Sequence, residues 1–272
     1  MLGIHQSFNG LQMLAMDAKE IGANTFQCFL RNNRNLKMRS NILGELPYFQ
    51  TALDQAGITK YVIHAPYVIN PASAEPDKQA NAERIIHEDL VLLSKLPYTK
   101  HYVLHPGSAL DIPRTEALMN LFGVIMHATC GVDMSSIYIC LETMAGQGTQ
   151  LIKTPFELQG IMSLFAKTSH IRVCFDTAHV FEAGFDVYKT WKFVTRDLQL
   201  PVGVLHLNQS LTHKYSQVDR HANITSSCNT IPISELKEVA ILADALEIPV
   251  ILETPSDGLL NDYRECKSWL DF

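Results

Sequence analysis

Short apolar runs alternate with longer stretches of helical spacing along the whole chain. Met1–His5, Thr25–Leu30, Lys60–His64, His101–His105, Ser136–Glu142, His170–Asp176, Val202–His206 and Ile248–Glu253 have the short apolar character of buried strands. Between them lie Leu11–Ile21, Ile42–Ala56, Lys78–Leu96, Arg114–Thr129, Pro155–Lys167, Val187–Leu198, Ile233–Leu246 and Leu259–Leu270. In these, apolar residues recur every three or four positions, which places them on one helical face. Strands alternating with helices predict a parallel sheet. Eight repeats in this length predict an α/β chain forming a single (β/α)8, or TIM, barrel over residues 1–272. An open doubly wound sheet is the alternative, but the Gly-rich dinucleotide turn it often carries is absent. Three stretches read as loops: the basic segment Arg31–Arg39, the segment Val180–Asp186 with Gly184 as a hinge, and a long connection after His206.

Composition narrows the classes. The chain has 272 residues, 47% apolar and 18% charged, enough to bury a sizeable core. Its net charge of −6 provides no global basic field. Any nucleic-acid surface must therefore be local or be supplied by bound cations. The six cysteines (28, 130, 140, 174, 228 and 266) form no CxxC pair, and Met1–Gln6 does not read as a signal peptide. Reduced thiols and a non-secreted, cytoplasm-like location are expected, nuclear or viral for a eukaryotic host. No apolar run reaches the roughly 18 residues of a membrane span.

Chemistry collects where the predicted strands end. Strands three to five end in His64, His105 and Glu142; strands six to eight end in Asp176, His206 and Glu253. His179 lies just past Asp176, and the loop after strand seven adds Asp219-Arg220-His221. Active sites of such barrels sit at this C-terminal rim. Carboxylates and neutral imidazoles are ligands for divalent metals. A lone histidine is more often structural, but six consecutive strand ends carrying ligand types point to metal. Nine candidates exceed one tetrahedral site and predict two or three ions. Cys140 and Cys174, two residues beneath Glu142 and Asp176, read as packing residues. His5 reads equally well as a structural residue or as a support for the ligands. His87, His127, His170 and His213 fall in helices or loops without a chemical role.

The motifs occur in a distinctive order: His64-Ala-Pro-Tyr67-Val-Ile-Asn70, His105-Pro-Gly-Ser108, Leu141-Glu142-Thr-Met-Ala-Gly146, Phe175-Asp176-Thr-Ala-His179, His206-Leu-Asn208, Asp219-Arg220-His221 and Leu252-Glu253-Thr254. Across nearly its whole length the chain resembles the endonuclease IV family of apurinic/apyrimidinic endonucleases. The resemblance implies a TIM barrel with three zinc ions, manganese being an alternative, that nicks double-stranded DNA 5′ to abasic sites. It implies a monomer acting in base excision repair. It assigns His64 and His105 to one ion, with Glu142 bridging to a second held by Asp176, His206 and Glu253. His179, Asp219 and His221 would hold the third. Glu142, Asp176 and Glu253 are the implied catalytic carboxylates. The basic loop, through Arg31 and Arg34, and Tyr67 would enter the DNA at the lesion.

The sequence departs from that pattern after strand seven. Gln209 stands where the family usually has an acid, Tyr215-Ser216 replaces a glycine region, and residues 223–229 replace a Gly-rich turn. The loop of the third ion is thus remodelled. Two other functions share parts of this pattern. A metal-dependent sugar isomerase or epimerase uses the same rim but has no use for the basic loop or for Asp219 and His221. A non-catalytic DNA-binding relative has no reason to keep nine ligands.

Overall fold

Period-2 alternation within each strand turns one set of side chains toward the barrel axis and the other toward the helices. The computed structural model describes residues 1–39, 42–227 and 230–270. The chain runs through β1 (Leu2–Gln6), α1 (Leu11–Ile21), β2 (Gln27–Phe29), a 3-10 turn (Ile42–Glu45), α2 (Leu46–Ala56), β3 (Lys60–His64), α3 (Pro76–Leu93), β4 (Thr99–Leu104), α4 (Arg114–Thr129), β5 (Ile137–Glu142) and α5 (Pro155–Leu164). It continues through β6 (Ile171–Asp176), α6 (Thr177–Glu182), α7 (Val187–Lys192), a π turn (Phe193–Asp197), β7 (Val202–His206), β8 (Gln209–Ser210), β9 (His221–Ala222), α8 (Ile233–Ala245), β10 (Val250–Leu252) and α9 (Leu259–Leu270). Parallel strands in the order β1-β10-β7-β6-β5-β4-β3-β2 close into a barrel, as the alternation predicts. β8 and β9 form a separate antiparallel hairpin.

The barrel interior is layered. Glu142, Cys140 and Tyr138 share one face of β5, and Asp176, Cys174 and Arg172 share one face of β6. The middle layer is apolar: Val62, Val103, Cys140, Cys174, Val204 and Ile251 are fully buried against one another. Below it, the Arg172 guanidinium lies 3.7 Å from the centre of the Tyr138 ring, a cation–π contact. Gly203 on β7 leaves room for it; a Cβ there would stand 2.9 Å from Arg172 Cδ and 2.8 Å from Cys140 Sγ. The polar rim therefore rests on a dry layer, where charge interactions are strong.

Local differences from the sequence reading have local causes. β4 ends at Leu104 and β10 at Leu252, so His105 and Glu253 stand one residue past their strands. The segment after Asp176 opens as a helix, α6, rather than a loop, because the Asp176 side chain caps it by accepting from His179 N. The expected helix Val187–Leu198 divides into α7 and the π turn. Cys28, Cys130, Cys140, Cys174 and Cys266 are free. Cys228 lies outside the described residues. Among the described residues no helix is long and apolar enough to cross a membrane.

Candidate metal centre

Parallel register delivers the candidate ligands to one level. Asp176 pairs with His206 across β6 and β7, and His206 with Ile251 of β10. The side chains fall into overlapping groups: His64, His105 and Glu142; Glu142, Asp176, His206 and Glu253; and Asp176, His179 and His221. Glu142 is the shared member of the first two. Its Oε2 lies 3.4 Å from His64 Nε2 and 3.1 Å from His105 Nε2. Its Oε1 lies 3.0 Å from His206 Nδ1 and 3.5 Å from His179 Nδ1. Tetrahedral zinc with ligands at about 2.0–2.1 Å separates neighbouring ligand atoms by roughly 3.3 Å. The observed separations suit that geometry.

Hydrogen bonding supports the same reading. Glu142 Oε2, His179 Nε2 and His221 Nε2 are buried without a hydrogen-bond partner. Orphaned buried acceptors and imidazole nitrogens of this kind call for an ion or a proton between them. The opposite nitrogens are committed: His64 Nδ1 to Ala65 O at 2.6 Å, and His179 Nδ1 to Thr143 O at 2.8 Å. A backbone carbonyl accepts only from N–H, so in each ring Nε2 is left to face the cluster. Asn208 Nδ2 donates to Asp176 Oδ2 at 2.8 Å, while Asn208 Oδ1 accepts from Glu253 N at 3.0 Å.

Charge is balanced inside the cluster. Burial pushes the Glu142 carboxyl up, but His206 and His105 together hold it well below the usual carboxylate range. Burial lowers His206, yet Glu253 and Glu142 more than offset this and push it up to about 9. Asp219, against burial, is held at about 2 by His179. Protons and divalent cations compete for the same imidazole lone pairs, so metal binding at this cluster weakens in acid.

The third group depends on the loop after β7. The β8–β9 hairpin pairs Ser210 with His221 and folds Asp219 back over the rim. Asp219 Oδ2 then lies 3.3 Å from His179 Nε2, and Asp219 Oδ1 3.7 Å from His221 Nε2. His221 Nε2 also lies 3.7 Å from Asp176 Oδ2. Glu182, fully buried, anchors this loop by accepting from Ser210 Oγ at 2.7 Å and from Arg220 N at 3.2 Å. Gln209 is also fully buried; its Oε1 accepts from Ile231 N at 2.7 Å. Gln209, one of the departures noted in the sequence, thus takes part in the hydrogen bonding beneath this loop, and Asp219 and His221 still reach the cluster.

A family model described as xylose isomerase-like TIM barrel matches residues 16–271. A protein of Methanosphaera stadtmanae named "Probable endonuclease 4" is 31% identical over 270 residues, 97% of this chain and 95% of that one. Another of that name, from Mycoplasma pneumoniae, is 34% identical over 89% of this chain and 85% of its own. The chain belongs to the endonuclease IV family. Endonuclease IV from Thermus thermophilus superposes with a TM-score of 0.82 at 26% identity, covering 99% of this chain and 98% of that one. A D-tagatose 3-epimerase-like protein superposes with a TM-score of 0.73 at 18% identity, covering 99% and 96%, which shows the shared barrel alone.

In this endonuclease IV relative a cavity of about 350 Å³ opens over the cluster, lined by His64, His105, Glu142, His179, Asp219, His221 and Glu253 together with Tyr67. Tyr67 is 55% exposed and stands edge-on to Phe29. Asn70 ties the loops after His64 and His105 together: its Oδ1 accepts from Ser108 N and its Nδ2 donates to Ser108 O, both at 3.0 Å. Gly107, at φ +87°, is required there, since a Cβ would meet Asn70 Oδ1 at 2.1 Å. In the basic loop Arg34, Lys37 and Arg39 are exposed.

Arg31 is held differently from the other cations of the loop. It is 4% exposed and donates to Asp89 Oδ1 at 2.6 Å, Glu88 Oε2 at 2.8 Å and Leu36 O at 2.9 Å. A guanidinium so engaged and so buried braces the loop against α3. The bland reading of Cys140 and Cys174 agrees with their burial. Cys174 Sγ lies near Glu142 and His206, but burial pushes its thiol well up. His5 Nδ1 lies 3.3 Å from Glu253 Oε1, beside the ligands. Sequence reasoning missed Gln27 and Glu182. Their signal was a polar residue inside an apolar run.

Proposed function

We propose that the protein is an apurinic/apyrimidinic endonuclease that hydrolyses the DNA phosphodiester 5′ to an abasic site, leaving a 3′-hydroxyl and a 5′-deoxyribose phosphate. The observation that carries this reading is the overlap of three ligand groups through Glu142 and Asp176, beneath a cavity mouth bearing Tyr67. The donor set, imidazoles and carboxylates with orphaned buried atoms, fits zinc, with manganese an alternative. His64, His105 and Glu142 would hold one ion; Glu142, Asp176, His206 and Glu253 a second; His179, Asp219 and His221 a third. When bound, such ions supply Lewis acidity to a phosphoryl group and acidify the attacking water.

The chain's own residues do the rest. Glu142 presents one oxygen to each of two groups and so fixes their spacing. Asp176 and Glu253 are oriented by the two ends of the Asn208 amide. Exposed Arg34 supplies a cation for backbone phosphate, and Tyr67 a ring for the gap left by a missing base. The protein is proposed to act as a monomer on double-stranded DNA in base excision repair. A sugar epimerase would need fewer ligands and has no use for the basic loop or for Asp219 and His221.

Incubating the metal-loaded protein with a duplex carrying one abasic analogue, beside a panel of ketoses, tests the proposal. Incision at the analogue is expected. Ketose turnover with uncut duplex would establish the sugar-isomerase reading instead. Duplex binding with neither reaction would leave a DNA-binding relative.

A further inference from the structure

Gln27 is a polar side chain sealed inside the barrel, fully buried between Phe26 and Cys28 in sequence. Its amide meets three groups at once. Oε1 lies 2.8 Å from His206 Nε2. Nε2 donates to Glu253 Oε1, and to His5 Nδ1 at 2.9 Å. An amide oxygen only accepts and an amide nitrogen only donates. Glu253 Oε1, on a carboxylate, also only accepts. Turned the other way, the amide would set oxygen against oxygen at Glu253. Glu253 therefore decides which way the Gln27 amide lies, and the amide oxygen in turn requires a proton on His206 Nε2. In the neutral ring the lone pair is then left on Nδ1, which faces Glu142 Oε1 at 3.0 Å, Glu253 Oε2 at 3.1 Å and Asp176 Oδ2 at 3.7 Å. His64 and His179 receive the same treatment from backbone carbonyls. For His206 a side chain does it.

We infer that Gln27 is a positioning residue that selects the metal-binding tautomer of His206 and ties that ring to Glu253, so that two ligands of one ion are oriented by a single amide. The inference rests on the metal-centre reading and adds to it a residue that touches no ion. Partners of this kind, placed behind the ligands, fix ring orientation and ligand basicity.

The test compares the parent with Gln27→Met, which keeps length and burial but removes donor and acceptor. Zinc affinity is read by competition with a chromophoric chelator, and the His206 ring by ¹⁵N NMR of the zinc-loaded, histidine-labelled protein. The expected result is that one zinc per chain binds about 10–100-fold more weakly. The slowly exchanging Nε2–H resonance of His206 is expected in the parent and lost in the variant. Gln27→Glu keeps the acceptor toward His206 but sets an oxygen against Glu253, and the same loss of zinc affinity is expected; it carries the test where Gln27→Met does not fold. Parental zinc affinity in a folded variant overturns the inference. A parent that binds no zinc overturns the metal-centre reading itself.

Discussion

Replacing Glu142 with Gln probes the one side chain that two ligand groups share. The carboxylate is 1% exposed, with Oε2 toward His64 and His105 and Oε1 toward His206 and His179. Gln has nearly the same volume, so the dry layer of Val103, Cys140 and Cys174 beneath it has no cavity to fill. The amide, however, has a single accepting atom. With its NH2 toward His64 and His105, that pair loses its anionic partner; with its NH2 toward His206, the other group does. Either orientation also removes one negative charge from a water-poor site. Loss of one preorganised electrostatic element lowers turnover by roughly 10²–10³-fold. A hundredfold fall corresponds to about 2.7 kcal/mol on the barrier. Single-turnover incision of an abasic duplex should therefore fall at least about a hundredfold in Glu142→Gln. Duplex affinity should change far less, because Arg34 and Tyr67 are untouched. Both quantities are to be measured on the same preparation, by quenched-flow cleavage and by equilibrium fluorescence anisotropy. Near-parental cleavage, or binding lost in proportion to cleavage, would refute the bridging role.

Arg34→Ala and Tyr67→Ala should weaken abasic-duplex binding while leaving metal content unchanged, and Arg34→Ala should flatten the dependence of affinity on salt, as binding titrations at several salt concentrations will show. Arg31→Ala should instead destabilise the fold by about 3–5 kcal/mol in urea denaturation, because it strands buried Asp89. Glu182 is pushed by burial from its ordinary 4.5 up to about 7, so it holds its proton more tightly folded than unfolded. Its contribution to stability is complete below about pH 4.5 and is lost as pH rises through 7. Glu182→Gln should therefore gain stability relative to the parent over that window, as denaturation of both proteins at matched pH values will reveal.

The candidate ligands were legible because each closes an apolar run: His64 follows Tyr61-Val-Ile, Glu142 follows Ile139-Cys-Leu, and Asp176 follows Val173-Cys-Phe. A charged or polar residue at the end of a buried strand has few places to go except the rim. Arg31 and Arg34 were not separable by the same logic. They lie in one loop, yet the partner that buries Arg31, Asp89, sits 58 positions along the chain. Nothing local signals such a pairing. The hairpin that carries His221 has two-residue strands, too short for any period to register. The helix α6 spans six residues, and its cap is Asp176, a residue already read as a ligand. Gln27 was passed over because one polar residue inside an apolar strand has many structural explanations. Its three partners come from β1, β7 and the end of β10, which only the closed barrel brings together.

Metal content and product ends, measured together, bear most directly on the proposed activity. Purified protein should carry two to three divalent ions per chain, mostly zinc, and should cut a duplex with one abasic analogue on the 5′ side of the lesion, leaving a 3′-hydroxyl that a polymerase extends. Chelation should abolish the cut and lower thermal stability, and added zinc should restore both. One ion or none in protein that still cuts, or no cut by protein holding its full complement, would contradict it.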